Sequence, residues 1–342
     1  MTGTRINLAL QGGGAHGAFT WGALERLLDE PGLKIAGISG TSAGALNGAA
    51  LKSGLIEGGA QGARAALGAL WRQVGAVGDQ RLAGWFQPWV GAMAAGMQAV
   101  MPVSAPGIAG QIWTPYAFGP VWLNPLDRIV RRFRYDQVCA ATGPELFVSA
   151  TNVRTGKIRV FSGDEIGPEA ILASACLPTL FQAVEIDDPA TGLREAFWDG
   201  GYTGNPALFP LFAPELPEDV VIISINPLRR EEIPRTPQEI QNRINEISFN
   251  SSLLREMRAI HFVRKLLAEG RVAPGTMKDV RLHMIADDVL MNGLSADSKT
   301  APTPAMLYRL RDAGQAAADR FLAAHRRDLG QRASVDLPEM FG

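Results

Sequence analysis

A serine flanked by glycines, Gly40-x-Ser42-x-Gly44, stands between an apolar run and a stretch of helical spacing that begins near Ala43. That context suits a sharp strand-to-helix turn, in which small residues at minus two and plus two let strand and helix pass closely. The serine hydroxyl then projects above the sheet at the positive end of the next helix, where a nucleophile gains electrostatic support. The pentapeptide alone is a weak signal, because a glycine-rich chain produces it by chance. The competing role for Ser42 is a plain helix N-cap.

A second run, Gly12-Gly13-Gly14-Ala15-His16-Gly17, also fits G-x-G-x-x-G. A dinucleotide site would need an acid about 20 positions on, at the end of the second strand. The chain there reads Gly37-Ile38-Ser39-Gly40, and Asp29 and Glu30 come too early. The nucleotide reading therefore loses its main support. Consecutive glycines have another use, as bare N–H groups aimed at a developing oxyanion in acyl transfer. If the first two strand-end turns are neighbours, Gly13 and Gly14 face the Ser42 hydroxyl.

A serine nucleophile needs a proton acceptor. The chain has four histidines, His16, His261, His283 and His325. An α/β-hydrolase orders its triad Ser, then Asp or Glu, then His, with several strands before the elbow; here one strand precedes the elbow's own. His261 and His325 fall on long helices, which leaves His283, in an apolar strand, as the triad candidate. The other candidate is Asp199 in Phe197-Trp198-Asp199-Gly200-Gly201, where an apolar approach ends in an acid and two glycines. A carboxylate at such a turn can sit on the serine directly, as a dyad. Asp-Gly is also an ordinary turn, so residue types alone leave both bases open.

The elements that must position these groups are legible from periodicity. Arg5–Leu10 and Lys34–Ser39 read as short buried strands, and helices are expected over 17–30 and 43–53. Strand–turn–helix repeated in this way is a βαβ unit, with glycine-rich turns at the strand C-terminal ends, where ligands of parallel sheets bind. Residues 78–125 form an insertion rich in Trp, Met and Pro, either an acyl groove or lid or a buried core or dimer interface. Strands follow near 146–151 and 157–161, then 220–225 and 280–285. A long amphipathic helix spans 239–269, with Ile240, Ile244, Ile247 and Met257 at helical spacing. A polar linker covers 293–304, and a last helix runs over 305–325. The expected organisation is a catalytic domain over 1–225 and a mostly helical extension over 226–342 packed on it.

Composition narrows the function classes. The 342 residues carry 33 Lys+Arg against 34 Asp+Glu, so a basic stripe for nucleic acid is not expected. Cys139 and Cys176 are too few for a disulfide scaffold or the common zinc frameworks. Neither a secretory leader nor a membrane-spanning stretch is visible, so a cytoplasmic location is expected, with peripheral membrane contact compatible with it.

Taken together, Gly12-Gly13-Gly14-x-x-Gly17, Gly40-x-Ser42-x-Gly44 and Asp199-Gly200-Gly201 resemble the patatin-like phospholipases. Ala173-Ser174-x-x-x-Pro178 and Asn205 are similar to further family positions. The resemblance covers about 5–210. It implies an α/β fold, a three-layer α/β/α sandwich with a mainly parallel central sheet. It also implies hydrolysis of acyl ester bonds in lipids without metal or cofactor, through an acyl-enzyme. Ser42 would be the nucleophile, Asp199 the base, and the Gly12, Gly13 and Gly14 backbone the oxyanion hole. The partner expected is a lipid or acyl-ester substrate; a homodimer is compatible with the chain. One position departs: His16 stands where the family usually has Arg or Lys. At its ordinary pKa it would be neutral above pH 7 and would charge on the acid side, enhancing activity there. The alternative function is a catalytically silent lipid- or acyl-binding regulatory protein on the same scaffold.

Overall fold

The computed structural model describes residues 3–79, 115–116, 124–273, 275–294, 297–300 and 302–341. Apart from its edges and residues 115–116, the expected insertion over 78–125 lies outside the described residues.

β1 (Thr4–Leu10) pairs in parallel with β2 (Leu33–Gly40) on one side and, later in the chain, with β7 (Asp219–Ile223) on the other. β3 (Glu145–Asn152) extends the sheet beyond β2, and β8 (Arg281–Ile285) extends it beyond β7, both in parallel. β4 (Ile158–Ser162), β5 (Val184–Asp188) and β6 (Leu193–Asp199) are antiparallel additions on the β3 side. The order is β5-β6-β3-β2-β1-β7-β8, with β4 on β3. Strand alternation defines the layers. Ile6, Leu8 and Leu10 of β1 and Val221 and Ile223 of β7 join one core. Ala9, Val220 and Ile222 join another on the opposite face. A strand buried on both faces is what a sheet covered by helices on each side requires.

The first core is closed by α1 (Gly17–Leu28), α2 (Ala43–Asp79) and, from the C-terminal part of the chain, the helix Pro304–His325. α1 and that last helix cross where both carry glycine: a Cβ on Gly22 would lie 1.8 Å from Arg311 O, and one on Gly314 would lie 2.0 Å from Phe19 O. α2 runs past the expected end at 53 and breaks at Gly58–Gly59, where Gly59 has φ 58. The second core is covered by the long helix Pro237–Ala268, through Leu253, Met257 and Ile260. The architecture is thus a three-layer α/β/α sandwich. Residues after 225 do not stand apart from it, since they supply β8 to the same sheet.

Two features of this fold position the site. β1 and β2 are neighbours, so the turns at their C-terminal ends lie side by side. β4 pairs with β3 over Phe147–Thr151, so β2 (opposite 145–148) and β6 (opposite 150–152) must share the other edge of β3, end to end. Gly40 stands opposite Val148 and Asp199 opposite Ala150. The antiparallel β6 therefore delivers its last residue to the point where β2 turns into α2.

Candidate active site

Ser42 is the only non-glycine residue with positive φ (54°) among the described residues, and it is 7% exposed. The turn around it leaves no room for side chains. A Cβ on Gly40 would meet Gly44 O at 2.5 Å, and one on Gly44 would meet Leu10 O at 2.0 Å. A left-handed serine costs on the order of 1 kcal/mol, so something must hold it. The Ser42 N–H donates to Ser174 Oγ at 2.9 Å, and Thr41 Oγ1 donates to Gly204 O at 2.6 Å. Ser174 ends the helix α3 (Pro168–Ser174) and is fully buried. Ser42 O accepts from Leu46 N at 3.1 Å, so the serine opens α2 as an N-terminal residue as well as standing at the elbow.

The glycine loop lies against this turn. A Cβ on Gly12 would be 2.6 Å from Ser42 Cβ. Gly12 N–H donates to Asn205 Oδ1 at 2.6 Å, while Gly12 O accepts from Asn226 Nδ2 at 2.7 Å and Asn205 Nδ2 at 3.3 Å. Of the three glycines proposed from sequence as oxyanion donors, Gly12 thus has its N–H committed to Asn205. The N–H groups of Gly13 and Gly14 make no hydrogen bond among the described residues, and Gly14 (φ 58) is exposed. Gln11 anchors the loop from below: its Oε1 accepts from Ile225 N at 2.9 Å and Asn226 N at 3.0 Å.

Asp199 is held by its backbone on both sides, through its N–H to Cys176 O and its C=O from Thr151 Oγ1, each 2.8 Å. Its Oδ1 accepts from Gly201 N at 2.7 Å. Its Oδ2 is buried and has no formed hydrogen bond. Both following glycines are sterically required: a Cβ on Gly200 would meet Ser149 O at 2.2 Å, and one on Gly201 would meet Asp199 Oδ1 and Phe249 at 2.9 Å. Complete burial pushes the carboxyl up to about 7, against the pull of the Gly201 N–H and the nearby Ser42 hydroxyl. A buried acid of this acidity can take a proton near neutral pH.

The histidines separate cleanly. His283 is buried on β8 at the far side of the sheet, between Asp219 Oδ1 (2.9 Å) and Ser334 Oγ (3.1 Å). Asp219 begins β7, at the opposite strand end from the Ser42 turn, so His283 is not brought to the serine. His16 does lie beside the glycine loop, with Nε2 2.7 Å from Ser298 Oγ and a buried, unpartnered Nδ1. Burial first, and then the Lys299 charge, lower its pKa to about 3. The acid-side charging expected of a histidine at its ordinary pKa is therefore corrected: this ring is neutral across the working range.

Three contributors escaped the sequence reading. Gln11 and Asn226 tie the glycine loop to the end of β7, and Lys299 reaches the same cluster from a short helix, Asp297–Thr300, within the expected linker. Two cavities of about 220 and 300 Å³ lie elsewhere, one between β8 and the last helix and one around Trp21, Trp71 and Tyr308. Neither is lined by Ser42, Asp199 or the glycine loop.

The fold and the site together are those of an α/β/α sandwich carrying a strained serine turn beside a glycine loop. The family model described as Patatin-like phospholipase matches residues 8–212, and the chain belongs to that family, one of lipid acyl hydrolases. Eleven solved chains match the protein. Among them, the crystal structure of VipD from Legionella pneumophila is similar at 16% identity and TM-score 0.40, covering 94% of this chain and 67% of that one. No curated protein matches. Among the described residues, no helix is long and apolar enough to cross a membrane.

Proposed function

We propose that the protein hydrolyses acyl esters of phospholipids, lysophospholipids or related lipids through Ser42 and Asp199. In this reading Asp199 Oδ2 takes the Ser42 proton as the hydroxyl oxygen attacks the ester carbonyl. The tetrahedral oxyanion is met by the Gly13 and Gly14 N–H groups, with Gly12 serving as the close-approach residue rather than as a donor. Collapse releases the alcohol, which recovers the proton from Asp199. Water then repeats the sequence on the acyl-enzyme, and the fatty acid leaves. The single observation that supports this most is the unpartnered, buried Asp199 Oδ2 beside a serine held at φ 54.

The presence of both the serine and the buried acid favours an enzyme over a silent lipid-binding protein. A fluorophosphonate probe tests it, because only an activated serine labels readily. Labelling at Ser42, lost in Ser42→Ala and Asp199→Asn, is expected. An unlabelled, folded wild type sends the assignment back to the lipid-binding alternative. Released fatty acid from esters varied in chain length and headgroup then defines the substrate.

A further inference from the structure

We infer that Lys299 is a positioning residue for the glycine loop: through Asn226 its ammonium polarises the Gly12–Gly13 peptide, so a segment outside the family-matched stretch completes the site. The inference rests on the Ser42 and glycine-loop reading above and adds to it the source of the loop's positive charge.

The geometry is a chain of donors. Lys299 Nζ donates to Asn226 Oδ1 at 3.2 Å, and Asn226 Nδ2 donates to Gly12 O at 2.7 Å. Gly12 C=O and Gly13 N–H belong to one planar peptide, so charge drawn to the oxygen leaves the N–H more positive. Hydrogen bonds linked in this way strengthen one another where the dielectric is low. The Gly13 N–H is one of the two free donors of the loop. The backbone adds a second contact: Lys299 O lies 2.3 Å from where a Gly14 Cβ would stand, so only glycine lets the Asp297–Thr300 helix seat here.

The surrounding charges offset the ammonium only in part. Glu246 Oε1 is 3.7 Å from Lys299 Nζ, but the same carboxylate is held at 2.7 Å by Arg230 and at 3.4 Å by Arg243. One carboxylate is thus shared by three cations. His16, neutral for the reasons given above, adds no charge of its own. Burial lowers its pKa most, with Lys299 and Arg230 lowering it further and Glu246 raising it.

A structural wedge would place Lys299 equally well, and the test separates the two roles. The kcat and KM on a p-nitrophenyl acyl ester are measured for Lys299→Met, Lys299→Arg, Asn226→Leu and the double variant Lys299→Met/Asn226→Leu. Thermal melts accompany each. We expect Lys299→Met to lower kcat roughly tenfold, a minor part of the 10²–10³ that a whole oxyanion donor is worth, with KM changed by less than about twofold. Lys299→Arg should keep activity within about threefold. The double variant should be no worse than the poorer single, because both cut one chain. A Lys299→Met kcat near wild type overturns the inference, as does equal loss in Lys299→Arg or additive loss in the double. If the Met variant fails to fold, Lys299→Gln is read by the same criteria. Ser42→Ala is run alongside: activity there ends the serine reading itself, whereas a dead Ser42→Ala beside an unaffected Lys299→Met ends only this inference.

Discussion

Gly12 presses on Ser42 so closely that a Cβ at position 12 would lie 2.6 Å from the serine Cβ and 2.8 Å from Thr41 O. Neither neighbour is the free end of a flexible side chain. Gly12→Ala must therefore move the serine turn or the loop. The expected result is a loss of ester turnover of about 10²-fold or more, the scale of an ångström-sized displacement of a reacting group. Circular dichroism should show a retained fold, and the rate of fluorophosphonate labelling checks the loss.

Ser42 carries strain that the chemistry requires and the fold does not. Ser42→Ala and Ser42→Gly both remove the hydroxyl and should both be inactive. Alanine keeps the cost of φ 54, whereas glycine relieves it. The glycine variant should be the more stable of the two by about 1 kcal/mol, measured by denaturant midpoints. Equal stabilities would show that the turn is unstrained.

Asp199 gives a signed pH dependence. Its folded pKa of about 7 lies above its ordinary 3.8, so the unfolded chain holds fewer protons than the folded one between those values. Stability from this group is complete below pH 4 and is lost as pH rises through 7. The reactive form is the ionised one, so activity should rise along an acid limb centred near pH 7. Asp199→Asn keeps an acceptor for the Gly201 N–H but loses the base. It should be inactive, melt higher than wild type at pH 8, and match it near pH 4. A wild type that melts higher at pH 8 would contradict the burial argument.

His16 runs the other way. Its folded pKa of about 3 lies below the ordinary 6.5, so the unfolded chain takes up more protons between them. Its contribution is present above pH 6.5 and is lost as pH falls toward 3. His16→Gln, which can still reach Ser298, should be less acid-sensitive than wild type in melts across that window. Its activity profile should lack any acid-side change, since the native ring never charges there. An altered acid limb in this variant would return a catalytic charge to His16.

What was legible in the sequence is what local backbone sterics and strand alternation encode. Gly40 and Gly44, Gly12 and Gly14, and Gly200 and Gly201 each stand where a Cβ would strike backbone or a neighbouring side chain, so glycine spacing alone marked all three turns. β1, β2, β7 and β8 showed as apolar runs because both of their faces are buried. The long helix Pro237–Ala268 was found, but its apolar spacing misled. Ile240, Ile244 and Ile247 are 43%, 54% and 54% exposed, while the buried side of its first half carries Glu246 and Asn250. Those polar residues face Arg230 and Gln11, a partnership set by tertiary contacts that no periodicity records. Lys299 was hidden for the same reason: a polar segment 87 positions beyond the end of the family-matched stretch, residue 212, acquires meaning only once it folds back on Gly14. The antiparallel β6, which carries Asp199 to the end of β2, likewise depends on which edge of β3 is free.

Ser174 supplies the last test, because it touches the serine only through the backbone. Its Oγ accepts the Ser42 N–H at 2.9 Å, inside a fully buried helix end. Ser174→Ala removes the acceptor and nothing else of size. The Ser42 N–H, then buried without a partner, costs about 1–3 kcal/mol, and the serine turn loses the bond that fixes its orientation. A turn without that tether holds the serine hydroxyl less firmly in its reactive position. Stability should fall by an amount in that range, read from denaturant unfolding, and kcat should fall by roughly tenfold or more, with KM little changed. Ser174→Thr keeps a hydroxyl at the same atom and should retain more activity than the alanine variant. If alanine and threonine lost activity equally, the damage would lie in the packing of α3, and the Ser174 hydroxyl would not be what holds the nucleophile in place.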